Sequence, residues 1–118
     1  MMKLVIFLND RLYKSEATKS VSFTSVFGQV ELLKHHADMF SRAVTGVVTS
    51  TDLDDNSKNF LIFDGLFSFF DGGEVNLLTN RIFSLDEMSD DEKKSLIAEL
   101  EARKDPNFES IIKKIQDF

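Results

Sequence analysis

The chain has 118 residues, a formal charge of −6 at pH 7, no cysteine, one proline and five glycines. This length fits one domain, or one with an appendage, and buries about 65% of its unfolded surface, enough for a core without staples. Without thiols there is no disulfide framework, thiolate metal site or thiol nucleophile, and the acidic balance with no Lys/Arg cluster argues against nucleic acid as a partner.

Twelve Phe stand against one Tyr and no Trp, a set without polar handles that suits cores and buried interfaces. The first apolar run, "KLVIFL", reads as a strand. It is too short for a secretory segment and is followed at once by Asn9, Asp10 and Arg11. It also falls far below the roughly 20 apolar residues that span a bilayer. The expectation is a soluble chain, cytoplasmic or peripheral to a membrane. "KSVSFTS" alternates Val21 and Phe23 with Ser and Thr, a half-buried strand. "TGVVTS" follows Gly46, "TDLDDNSKN" (51 to 59) is a polar hairpin loop, and "NFLIFDGLFSFF" reads as two strands kinked at Gly65. Asp71-Gly72-Gly73 marks a tight turn before "EVNLL". Short strands with regular turn signals predict an antiparallel β-sandwich or flattened barrel over residues 1–85. Phe63, Phe67, Phe69 and Phe70 make both faces of their stretch apolar, so one face is expected under a helix or a partner.

From Asp86 the period changes. Ser89 with Glu92 forms a capping box, with Asp90 and Asp91 at the positive end of the helix. Leu96, Ile97 and Leu100 make an apolar stripe, and Glu99 and Arg103 stand one turn apart. Asp105-Pro106 signals a second helix start, with Phe108, Ile111, Ile112, Ile115 and Phe118 on one face. The C-terminal segment 86–118 is therefore a two-helix hairpin, giving an α+β composition. So short a second helix is marginal alone and must pack on something.

His35 and His36 are the only histidines. A tetrahedral zinc site wants three or four ligands, and on an extended segment adjacent side chains leave on opposite faces. No Gly-x-Ser-x-Gly elbow or glycine-rich phosphate loop is present. Asp54-Asp55 lies in a polar loop and Asp90-Asp91 at a helix start, where solvation and capping explain them. An interaction role is favoured over catalysis, and no cofactor or metal is expected.

The order of features resembles the epsilon subunit of rotary F-type ATP synthases, called delta in mitochondria. "VSFTSVFGQVELLKHHADMFSRAVTG" is similar, without gaps, to the family's strand, Glu-Gly, Leu-Pro-Gly-His-Ala-Pro-Leu-like loop and closing glycine. Gly28 falls on the first glycine, Leu33 before Pro-Gly, His36-Ala37 on His-Ala, and Gly46 on the closing glycine. "FLIFDGLFSFFDGGEVNLLTNRIF" resembles the family's Gly-Gly strand and Val-x-Val-Leu-Ala-Asp segment, with Gly65 on the second glycine of the pair. Lys34 and His35 replace Pro-Gly, Asp38 the next Pro, Glu31 a common Gly, and Asp64 the first Gly of the pair. The loop then keeps its course with a less rigid backbone.

The resemblance implies a non-catalytic central-stalk subunit, peripheral to the cytoplasmic face of a bacterial inner membrane. Its partners would be the gamma-type shaft and the c-ring, with the catalytic alpha/beta head within reach of the helical hairpin. It places Gln29, Val30, Glu31 and His36 in a loop facing the c-ring, and makes Gly28, Gly46 and Gly65 backbone positions. Leu96, Leu100, Phe108, Ile111, Ile112 and Ile115 would pack the hairpin. The family's ATP motif, Ile/Leu-Asp-x-x-Arg-Ala, has no match in "LIAELEAR", so tail-bound ATP is not expected and inhibition of hydrolysis should be weak. The alternatives are a stand-alone β-sandwich module for a protein or ligand, and, more remotely, a histidine-dependent metal hydrolase.

Overall fold

A computed structural model describes residues 2–70, 73–103 and 108–117. Ten strands come first: β1 (Met2–Leu8), β2 (Arg11–Thr18), β3 (Ser20–Ser25), β4 (Gly28–Leu33), β5 (Met39–Ala43), β6 (Gly46–Thr51), β7 (Ser57–Ile62), β8 (Gly65–Phe70), β9 (Glu74–Thr79) and β10 (Ile82–Ser84). A single 3-10 turn, Leu85–Glu87, leads to helices α1 (Asp90–Arg103) and α2 (Phe108–Gln116). The expected α+β order of sheet and helical hairpin is what forms. Asp71 and Gly72 of the expected turn, the Asp105-Pro106 start signal and Phe118 lie outside the described residues.

The strands follow the order β10-β7-β6-β3-β5-β8-β9-β1-β2, with β4 added on β3. Between β3 and β5 the ladder narrows to one described pair, Ser25 with Ala43. The sheet curls there, and its two halves share one core. Alternation selects the inward residues: Val21 and Phe23 from β3, Phe60 and Ile62 from β7, Phe67 and Phe69 from β8, and Met2, Leu4 and Ile6 from β1. Phe23 and Phe67 stack across the halves, with ring centroids 3.9 Å apart and planes within 8°.

Pairing is antiparallel except for β1 on β9, which is parallel from Lys3↔Glu74 to Leu8↔Thr79. No hairpin connects these two strands, so their direction is set by burial of β1 and not by a turn. The β2 strand carries no apolar alternation and is the outer edge. Gln29 to Glu31, expected in a loop, are instead strand β4, because they pair Thr24, Phe23 and Ser22 while Val30 packs on the core.

The hairpin lies against the outer face of β6 and β7. Leu96 and Leu100 of α1, with Ile111 and Ile115 of α2, form a second core with Val47, Leu61, Phe63 and Leu85. Ile97 and Ile112 are half-buried beside it; Phe108 at the start of α2 is half-buried but is not among the residues packed on this core. The expected cap is present: Glu92 N donates to Ser89 Oγ and Ser89 N to Glu92 Oε1, both at 3.2 Å. The face of β8 opposite the core therefore does not lie under the hairpin.

Two glycines have evident physical causes. Gly28 has φ +117, and a Cβ on Gly65 would stand 2.9 Å from Leu77 Cδ1 and 3.1 Å from the Leu78 carbonyl. A Cβ at Gly46 would meet only ordinary contacts, with Thr24 at 3.5 Å. Asp64, the residue that replaces a glycine of the resembled family, keeps a glycine-like φ of 124°. A side chain in that region is strained by about 1–3 kcal/mol, against roughly 0.5–1 kcal/mol of added unfolded-state freedom for glycine. Asp64→Gly should thus raise the melting temperature by a few degrees in scanning calorimetry; a lower value would mean that the aspartate side chain supplies a compensating contact.

Candidate interaction surfaces

His36 lies in the turn after β4, where its N–H bonds the Leu33 carbonyl at 2.9 Å. Its Nδ1 is 2.7 Å from the Ala37 carbonyl, and its ring meets Phe69 edge-on at 6.2 Å. His35 and His36 are both exposed. Among the described residues, no group of three or more His, Cys, Asp or Glu is placed to hold a metal ion. Gln29 stands at the opposite end of β4, beside the hairpin tip, since Thr24 pairs Gln29 and Ser20 pairs Leu33. The strand separates them by roughly 3.3 Å per residue, so Gln29 and His36 do not form one compact site. Gln29 and Glu31 are exposed while Val30 faces the core.

The larger surface is the outer face of the β5-β8-β9-β1-β2 half. Ladder register puts Arg42, Leu66, Leu78, Phe7 and Leu12 in one row across five strands. Leu66 is 39% exposed, Leu78 44% and Leu12 63%, and Phe40 and Phe70 on the same face are 68% and 50% exposed. Isolated exposed apolar residues are ordinary; a contiguous row is the mark of a binding surface. The alternation of "GLFSFF" pointed to this face, but only the register could join it to Leu78, Phe7 and Leu12.

One end of the row opens into a groove of about 530 Å³ that reaches the end of α1. Leu66, Leu78 and Phe7 line it together with Phe63, Arg42, Arg81, Arg103, Asp10 and Asp64. Arg81 grips Glu99 of α1 with two bonds, Nη1 to Oε2 at 2.5 Å and Nη2 to Oε1 at 3.0 Å. Its guanidinium also lies 4.2 Å from the Phe63 ring centroid, with that of Arg103 at 4.9 Å, a favourable cation–ring geometry. Arg81 therefore ties the hairpin to the sheet, a role that the expected Glu99–Arg103 pairing along the helix did not anticipate. The tip of the β3–β4 hairpin was also missed. Val26 and Phe27 occupy its two turn positions, with Phe27 96% exposed. Apolar residues between Ser25 and Gly28, where turns favour Gly, Asn or Asp, were the available signal.

No family model and no curated protein matches the chain. Among solved structures, it is similar to a chain in the Euglena gracilis mitochondrial ATP synthase structure containing OSCP, F1 and the c-ring in rotational state 1. The TM-score is 0.69 at 16% identity, over 96% of this chain and 71% of that one. It is also similar to a chain in the Tetrahymena thermophila mitochondrial ATP synthase central stalk and c-ring, with TM-score 0.63 at 9% identity over 98% and 94%. The fold is one found in ATP synthase assemblies. It is shared over nearly the whole chain, at low sequence identity. No helix among the described residues is long and apolar enough to cross a membrane.

The Arg81–Glu99 pair has a pH signature. The hydrogen bond from Arg81, then its charge, hold the Glu99 carboxyl below the ordinary carboxylate range. A depressed folded value stabilises above that range and ceases to do so as pH falls through it. Both side chains are about two-fifths exposed, so the contribution is on the order of 0.5 kcal/mol. The melting-temperature gap between wild type and Glu99→Gln should be small at neutral pH and close in acid; a gap that persists in acid would assign it to packing.

Proposed function

We propose that this chain is a non-catalytic central-stalk subunit of an F-type ATP synthase, transmitting rotation between the c-ring and the catalytic head. The observation that carries this reading is the uncovered apolar row on the outer face of β8, β9 and β1, in a fold shared with chains of ATP synthase structures. A stand-alone protein of this size gains nothing from leaving Leu66, Leu78, Phe40 and Phe70 in water. A subunit that spends its life against a shaft does, since each such side chain contributes roughly 1.5–3 kcal/mol when fully buried. In this reading the gamma-type shaft covers the row, and the stretch from Gln29 to Glu31 on β4 faces the c-ring. The chain would sit peripherally at the membrane that carries the ring. Nothing in this role breaks a covalent bond on the subunit; it transmits force through packed faces.

The helical hairpin, in the same reading, is a structural cover with little inhibitory action on the head. Val47, Leu61, Phe63 and Leu85 depend on it for burial. Removing residues from Asp86 onward would thus expose a second apolar face, and truncation tests regulation less cleanly than an exposed-face substitution of α2.

The decisive experiment uses the full chain and the purified shaft subunit of the same genome, alone and bound to its c-ring. Replacing both Leu66 and Leu78 with Glu should weaken association by roughly a hundredfold, with circular dichroism and melting temperature nearly unchanged. Wild-type chain that ignores the shaft and the shaft–ring complex would return the protein to the class of stand-alone β-sandwich modules. Equal binding by wild type and double variant would move the shaft contact to another face.

A further inference from the structure

The outer face that carries the apolar row is complementary to itself. From β5 to β2 the row runs Arg42, Leu66, Leu78, Phe7 and Leu12, and the turn just before Leu12 bears Asp10. A cation stands at one end and an anion near the other, with the outer strands about 19 Å apart at roughly 4.8 Å per strand. Both side chains line the groove on this face. Among the described residues neither has a hydrogen-bond or ion-pair partner, whereas Arg81 in the same groove is held by Glu99.

Charge and shape both indicate how a second copy fits. The chain carries −6, but on this face Lys3 and Arg42 balance Asp10 and Glu74, and Lys3 and Glu74 are direct ladder partners. Repulsion between two acidic copies is therefore weak here. A two-fold axis along the row would set Arg42 on Arg42 and Asp10 on Asp10, like against like. An axis along the strands, through β9, sets each Arg42 against the end of the other copy that bears Asp10, with Leu78 on Leu78. Phe40 and Ser15 end one cross-strand row, and in another Phe70 and Lys3 stand on either side of Glu74. The same axis thus lays Phe40 over Ser15, and Phe70 over the stem of Lys3. Large side chains meet small or flexible ones, as an isologous contact requires.

We propose that the unassembled chain pairs with a second copy of itself through this face, row packed on row, with Arg42 of each copy against Asp10 of the other. The pairing covers Leu66, Leu78, Phe40 and Phe70 while no other partner does. It needs the face and not the stalk reading; within that reading, shaft and second copy compete for the same side chains. The apolar row supplies the affinity, and the two charge pairs at its ends fix the orientation.

The test uses the full chain alone, by sedimentation velocity over a wide concentration range. Wild type should pass from monomer to dimer with a dissociation constant roughly in the micromolar range. Arg42→Asp and Asp10→Arg each place like charges together and should weaken pairing by at least about tenfold. The double variant should recover it, and an equimolar mixture of the two single variants should form a mixed dimer. Melting temperatures of the dilute variants should match wild type, since neither side chain has a partner among the described residues of the monomer. A wild-type chain that stays monomeric throughout, or single variants that dimerise as wild type does, would overturn the proposal. So would a double variant and a mixture that both fail to recover pairing. Added shaft subunit should displace one copy and leave a one-to-one complex. A shaft that binds the intact dimer would put the self-contact on another face and overturn it. A shaft that ignores the chain would overturn the stalk reading and leave the pairing untouched.

Discussion

The stack of Phe23 on Phe67 fastens a sheet that hydrogen bonds alone scarcely close. Between the two halves of the ladder the backbone contributes the single described pair of Ser25 and Ala43, so their relative position depends on side chains packed between them. Phe23, Phe60, Phe67 and Phe69 are the largest of these, all fully buried. Removing a ring of this size typically costs about 3–5 kcal/mol, a large part of the stability of a domain this small. Once these inner faces are filled by each other, strand alternation leaves the chain with two outer faces, and it treats them differently.

One outer face, on β6 and β7, is covered from within. Val47 and Leu61 receive Leu96, Leu100, Ile111 and Ile115, and the chain needs no partner there. The other, on β8, β9 and β1, carries Leu66, Leu78 and Phe7 in register, away from the second core in which the described residues of the hairpin pack. The edges are managed differently again. Lys14 and Glu16 of β2 turn inward at the sandwich rim, where Lys14 lies 5.3 Å from the Phe60 ring centroid and Glu16 accepts from Lys58 at 2.7 Å. Thr18 donates to the Thr51 carbonyl at 2.9 Å, and Lys19 pairs with Asp55. Inward charge of this kind discourages a second chain from extending the sheet. The β2 edge is thus guarded against edge-on association, while one broad face keeps its apolar residues exposed.

How far the sequence could foresee this follows from the range over which each signal acts. The alternation of "SVSFTS", the kink at Gly65 and the Ser89–Glu92 capping box are local, and each led to the right element. The β2 strand escaped notice because Arg11–Thr18 has no apolar face: its inward side is the polar rim. The β4 strand was hidden in the stretch read as a loop, although Val30 and Leu32 alternate with Gln29 and Glu31. Both faces of "GLFSFF" are apolar, so residue types could not say which side meets the core, or which of two outer faces the hairpin would take. That choice is made by tertiary packing. The residues expected together in one loop divide in the same way: Gln29 is beside the hairpin tip, Glu31 lies mid-strand, and the strand carries His36 to the far end.

Arg81 links these parts. It stands after β9, holds Glu99 of α1, and stacks on Phe63 at the mouth of the groove that continues the apolar row. The hairpin therefore shares residues with the edge of the open face. A partner seated on Leu66 and Leu78 with a side chain in that groove would meet the guanidinium that anchors α1. The two events are then coupled in free energy, whichever sign the contact takes, because each alters the environment of the same group. An acidic side chain from the partner would compete with Glu99 and loosen the hairpin. An apolar one would desolvate the pair, raising both the attraction between the two charges and the cost of removing them from water. The sign of that coupling is set by the chemistry of one side chain on the partner, read by Arg81.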